Sequence, residues 1–135
     1  MKIISIFGTG YVGLVTAVTL ASVGHKVECF DIDAKKISAI KRGSITFYEP
    51  GLNKLVQEHI KNGRLSFNIV TSSCKLDHDF HFLAVGTPEQ EDGSADLKYL
   101  YSAVNHIIKH SKPGATLVIK STVSVGTNRR VFEMV

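Results

Sequence analysis

Short runs rich in β-branched and aromatic residues alternate along this chain with longer stretches of helical period, and that alternation predicts a parallel α/β sheet. Lys2 to Phe7 reads as an unbroken apolar strand. Tyr11 to Val23 reads as an almost wholly apolar helix stopped by Gly24, and Lys26 to Asp31 as a second strand. A helix apolar on most of its faces belongs against a sheet. Asp33 can cap a short helix that turns Ile37 and Ile40 inward and ends at Gly43. Pro50 and Gly51 open the next helix, with Leu52, Leu55, Val56 and Ile60 predicted on its inner face.

Further along, Leu65, Phe67 and Ile69 alternate with Ser66 and Asn68, which predicts an edge strand, whereas Phe80 to Val85 is apolar apart from His81 and reads as a central one. Asp96 precedes the clearest amphipathic helix, with an apolar stripe of Leu97, Leu100, Tyr101, Val104, Ile107 and Ile108. Pro113-Gly114 closes it before the strand Thr116 to Ser121. One more helix starts at Thr127 and runs to Val135 without a stop signal.

Composition changes this picture little. With 135 residues, 44% apolar and 21% charged, the chain fits one globular domain able to bury a core without staples. Its two cysteines, Cys29 and Cys74, are too few for a disulfide scaffold and suggest free thiols in a reducing compartment. The longest apolar run is too short and too interrupted for a membrane span, and no secretory signal precedes the first strand, so the cytoplasm is expected. The net charge of +4 comes from Lys and Arg dispersed along the chain, a distribution that suits a small anionic ligand better than nucleic acid. The six histidines show no metal-ligand spacing.

The candidate chemistry lies at the first strand-to-helix junction. Gly8-Thr-Gly10-Tyr11-Val12-Gly13 places three glycines where a dinucleotide site needs them. The first makes the tight turn, the second lets backbone approach a pyrophosphate, and the third lets the helix lie close on the sheet. Asp31 ends the second strand 18 residues after Gly13, where a carboxylate would accept from an adenosine ribose and repel a 2′-phosphate, favouring NAD over NADP. As a plain alternative, the loop is only a tight turn and Asp31 only a cap. Lys36 reads equally as a solvated first-turn lysine or a ribose or phosphate contact. Thr87 and Thr122 follow the fourth and fifth strands and could offer hydroxyls at the crevice, or could simply form turns. These features predict a Rossmann-type doubly wound, mainly parallel sheet. Five strands are countable, three before Thr71 and two after, so the sheet would stop before its sixth strand.

Four segments, Gly8-Thr-Gly-Tyr-Val-Gly-Leu14, Tyr48-Glu-Pro-Gly-Leu52, Ala84-Val-Gly-Thr-Pro88 and Ser121-Thr-Val-Ser-Val-Gly-Thr127, together resemble the UDP-glucose/GDP-mannose dehydrogenase family over the whole length of the chain. By composition alone, the second segment is a helix start with Glu49 favourable beside the helix N-terminus. The resemblance implies that residues 1–135 are an N-terminal NAD-binding domain, incomplete at its C-terminal end. The parent enzyme would oxidise the C6 alcohol of a nucleotide sugar such as UDP-glucose to the carboxylate with two NAD, through a thiohemiacetal on a cysteine of a later domain, and would be a homodimer. It also implies cofactor contacts at Val12, Asp31, Lys36, Thr87 and Thr122, with Thr122 helping to position a water; with Gly8, Gly10, Tyr11 and Gly13 of the loop these make up the expected cofactor site. No residue here matches the family's catalytic cysteine, and the chain alone is expected to be inactive. GDP-mannose or a UDP-N-acetylhexosamine is an alternative substrate, and a non-catalytic NAD-binding module an alternative role. Ser124 stands where members often carry Pro, and could cap the last helix by hydrogen bonding.

Overall fold

A computed structural model describes residues 1–135. The elements run β1 (Ile3–Phe7), α1 (Tyr11–Ser22), β2 (Lys26–Asp31), α2 (Ala34–Lys41), α3 (Leu52–Lys61), β3 (Leu65–Ile69), β4 (Phe80–Leu83), α4 (Lys98–His110), β5 (Thr116–Ile119) and α5 (Thr127–Met134). The five strands form one sheet in the order β3-β2-β1-β4-β5, and every pairing is parallel. The α/β doubly wound architecture expected from the sequence is therefore present. β3 and β5 lie at the edges, and β4 lies between β1 and β5. The order reverses between β1 and β4, the switch point at which such sheets open a crevice beyond their strand ends.

The pleat sorts the strand residues between two cores. Ile4 and Ile6 of β1, with Val27 and Cys29 of β2, pack under α1, α2 and α3 against Leu14, Ile37 and Val56. Phe7, Phe30 and Leu83 face the other way, toward Leu100, Val104 and Ile107 of α4 and Val131 of α5. The rings of Phe7 and Phe30 stack at 5.2 Å. Period-2 alternation puts Ser5, Glu28 and His81 on that second face as well. Ser5 is paired in register with Glu28 and with His81. Ser5 Oγ lies 2.6 Å from His81 Nδ1, and His81 Nε2 lies 2.6 Å from Ser111 Oγ. The buried imidazole thus has a partner on each nitrogen, as burial of a polar ring requires.

Three local expectations are corrected. On α3 the buried positions are Leu52, Val56 and His59, while Leu55 is exposed. The stripe follows i, i+4, i+7, and His59 is accommodated because Ser22 Oγ sits 2.8 Å from its Nε2. On α4, Ile108 is exposed, because Leu100, Val104 and Ile107 already fill the contact with the sheet. Ser124 does not cap α5 with its side chain: Gly126 is the N-cap, and it is the Ser124 carbonyl that accepts from the Thr127 amide, at 3.1 Å. No helix is long and apolar enough to cross a membrane.

Candidate functional site

Beyond the carboxyl ends of β1, β2 and β4 lies a cleft of about 710 Å³, within the range of cofactor sites. Gly8, Gly10, Tyr11, Val12, Asp31, Lys36, Thr87 and Thr122 all line it. Of the residues singled out in the sequence, only Gly13 does not. Its task is steric, since a Cβ there would lie 1.9 Å from the Gly8 carbonyl oxygen. Gly8 turns with φ of +98°, and a Cβ on it would meet the Ala84 carbonyl oxygen at 2.3 Å. Gly10 has open space around its missing side chain. The turn is thus closed by two glycines and left open by the third.

Gly10 caps α1 with no side-chain hydrogen bond, and the first internal bond of the helix runs from the Leu14 amide to the Gly10 carbonyl. The amides of Gly10, Tyr11, Val12 and Gly13 accordingly donate to no group of the chain. Four free donors at a helix N-terminus, beside a glycine that leaves room, suit an anionic group such as a pyrophosphate.

Asp31 sits at the end of β2 with its carboxylate engaged. Oδ2 accepts from the Thr9 amide at 2.8 Å and the Thr9 hydroxyl at 2.7 Å, and from Lys36 Nζ at 3.4 Å. Oδ1 accepts only from the Asp33 amide, at 3.0 Å. Burial pushes the Asp31 pKa up, but the bonds from Thr9 and Asp33, with the Lys36 charge, outweigh it and hold the carboxyl below the usual range. The group is therefore an anion at neutral pH with acceptor capacity left on Oδ1. Lys36 is brought to it by α2, whose first turn is capped by Asp33 accepting from the Lys35 and Lys36 amides.

At the other end of the cleft, the Thr87 hydroxyl donates to the Thr122 carbonyl at 2.8 Å. The two threonines are brought together, but the Thr87 proton is committed, so toward a ligand its hydroxyl is left as an acceptor. Ser121 Oγ donates to the Val85 carbonyl at 2.8 Å, which further ties the β4 and β5 ends.

Sequence reasoning missed the far wall. Tyr99, Ser102, Ala103 and His106 of α4 line the cleft, joined by Lys98 and Lys120. Their i, i+3, i+4, i+7 spacing is a second stripe beside the apolar one, and it was the signal available in the sequence. Burial, then the charges of His110 and Lys109, hold the His106 pKa below the ordinary histidine value. Neither cysteine is placed for chemistry here: Cys29 is buried inside the sheet, where burial and then the Asp31 and Glu28 charges push its thiol pKa up.

A parallel sheet with a switch point, a glycine turn with free amides, and an acid ending the second strand define a dinucleotide-binding domain. The family model for the UDP-glucose/GDP-mannose dehydrogenase family, NAD binding domain, matches residues 1–135. The chain belongs to that family. The Bacillus subtilis UDP-glucose 6-dehydrogenases YwqF and TuaD are 46% and 44% identical to it, over 93% and 100% of this chain and 28% and 29% of theirs. The UDP-glucose dehydrogenase of the hyperthermophilic archaeon Pyrobaculum islandicum matches with a TM-score of 0.86 at 36% identity, over 98% of this chain and 33% of its own. The GDP-mannose dehydrogenase of Pseudomonas aeruginosa matches with a TM-score of 0.85 at 39% identity, over 97% of this chain and 30% of its own. The chain thus spans less than a third of the length of these curated relatives.

Proposed function

We propose that this chain is the cofactor half of a cytoplasmic, homodimeric nucleotide-sugar dehydrogenase that oxidises the C6 alcohol of UDP-glucose to the carboxylate of UDP-glucuronate, reducing two NAD. The observation that carries the reading is the convergence of the glycine turn, Asp31, Thr87 and Thr122 on one cleft, in a chain whose curated relatives include UDP-glucose 6-dehydrogenases.

NAD, when bound, supplies the hydride acceptor. In this reading the chain's own residues bind and orient. The amides of Gly10, Tyr11 and Val12 hold the pyrophosphate, and Asp31 Oδ1 takes a ribose hydroxyl of the adenosine with Lys36 beside it. Thr87 and Thr122 fix the nicotinamide end, and Tyr99, Ser102 and His106 of α4 wall the cleft. The nucleophilic cysteine and the sugar site belong to the rest of the parent polypeptide, since Cys29 and Cys74 lie outside the cleft lining.

A second reading has support in the solved structures named for GDP-mannose dehydrogenase and UDP-D-ManNAc dehydrogenase, the latter of Pyrococcus horikoshii: the parent could take another nucleotide sugar. The test is NADH formation by the purified parent protein with UDP-glucose, GDP-mannose and UDP-N-acetylmannosamine in parallel. Turnover with UDP-glucose and not the others is the expected result. Turnover with another sugar alone would replace the substrate assignment, and none with any would overturn the dehydrogenase reading.

A further inference from the structure

The segment Phe47-Tyr-Glu-Pro-Gly-Leu52 reads in the sequence as the start of α3, with Glu49 complementing that helix's N-terminus. In the structure its side chains do something else. Glu49 Oε2 accepts a hydrogen bond from the Tyr11 hydroxyl at 2.8 Å, across 38 residues of chain. Phe47 meets the Tyr11 ring edge-on, with centroids 5.2 Å apart and planes at 61°, and Phe47 itself packs against the core under α1 to α3. Tyr11 is the first residue of α1 and lines the cleft, and its amide is one of the four free donors. It is half exposed, so without these two contacts its ring would sample several rotamers.

The same connecting segment begins where α2 ends. α2 carries Lys36 against Asp31 at 3.4 Å. One stretch of chain therefore joins the ribose end of the cleft to the pyrophosphate turn, and Glu49 is its polar grip on that turn.

We propose that Glu49 is a positioning residue of the cofactor site: through the Tyr11 hydroxyl it fixes the Tyr11 ring and the first turn of α1 in the geometry that receives the dinucleotide. This rests on the reading that the cleft binds NAD. Glu49 touches no cofactor atom in this account; it removes the ordering cost that binding would otherwise carry. A carboxylate is a stronger acceptor for a phenol than an amide oxygen is, yet either can hold the ring. The grip also has a spectroscopic signature, because the hydrogen bond to Glu49 and then its charge raise the Tyr11 pKa.

The experiment is a set of NAD titrations by calorimetry on the full chain, with circular dichroism to check folding, for wild type, Glu49→Ala, Glu49→Gln, Tyr11→Phe and the Tyr11→Phe/Glu49→Ala double variant. Freezing one side chain in advance is worth about three- to tenfold in affinity, so Glu49→Ala and Tyr11→Phe should each weaken NAD binding by about that factor. Glu49→Gln should recover most of the loss, and the double variant should bind no more weakly than either single one. Tyrosinate absorbance, read as wild type minus Tyr11→Phe, should show Tyr11 ionising at lower pH once Glu49 is removed. Equal NAD affinity in wild type and Glu49→Ala, or additive losses in the double variant, would overturn the proposal alone. A folded wild-type chain that binds no NAD would overturn both it and the reading beneath it.

Discussion

Thr9 gives Asp31 two hydrogen bonds on one carboxylate oxygen, from its amide at 2.8 Å and its hydroxyl at 2.7 Å. The acid that ends β2 thereby anchors the glycine turn that follows β1, so it has a structural duty besides any toward a ribose. Asp31→Ala should lower stability by about 1–3 kcal/mol, because the buried Thr9 donors lose their acceptor. It should also weaken NAD binding and narrow the preference over NADP, since the negative charge facing a 2′-phosphate is gone. Thermal melts and paired titrations with NAD and NADP check this. Unchanged affinity for both cofactors would remove Asp31 from the site.

The three glycines should fail differently. A Cβ at position 10 enters open space on the cleft side, so Gly10→Ala should fold with an unchanged melting temperature yet lose about tenfold or more in NAD affinity by blocking close approach to the backbone. Gly13→Ala puts a Cβ 1.9 Å from the Gly8 carbonyl oxygen, and overpacking of that kind should cost about 3 kcal/mol or more. Melting curves beside calorimetry separate the two outcomes. A Gly10→Ala chain that binds NAD as wild type does would contradict the assignment of the turn.

The buried imidazole of His81 sets the acid limb of stability. Burial, then the charges of His78 and Lys112, push its pKa from 6.5 down to about 4. The unfolded chain takes up this proton near pH 6.5 and the folded chain only near 4, so stability is full above about 6.5 and falls as pH drops toward 4. At 1.36 kcal/mol per unit the loss reaches about 3 kcal/mol. His106, also held low, adds in the same direction. The carboxylates of Asp31, hydrogen-bonded to Thr9 and Asp33, and of Glu28, beside His78, are held low instead, and their contribution disappears only below the usual carboxylate range. The melting temperature should thus be flat above neutrality and decline from about pH 6.5 downward; a flat profile to pH 4.5 would refute the His81 account.

Thiol chemistry should distinguish the two cysteines. Cys29 is inaccessible within the sheet and held as a thiol, whereas Cys74 is partly exposed, 3.3 Å from the Thr71 hydroxyl. Iodoacetamide should label the native chain at Cys74 alone and reach Cys29 only in denaturant, as read by mass spectrometry. Labelling of Cys29 under native conditions would show that the strands β1 to β3 open locally.

The sequence by itself determined the alternation of strands and helices, the edge and central strands, the glycine turn and the acid that follows it. These depend on periods of 2 and 3.6 and on the sterics of glycine, which act over a few residues. The four motifs together were also enough to place the chain in its family. Tertiary structure decided what depends on residues far apart in the chain. It chose His59 over Leu55 for the buried stripe of α3, because Ser22 of another helix was there to satisfy it. It turned Tyr99, Ser102 and His106 into a cleft wall by laying α4 across the sheet from the glycine turn. It also placed Glu49 on Tyr11 rather than at the helix it precedes. The partners of His59 and Glu49 are fixed by how whole elements pack and leave no periodic trace in the sequence, whereas α4 carries a visible stripe whose role only the packing revealed.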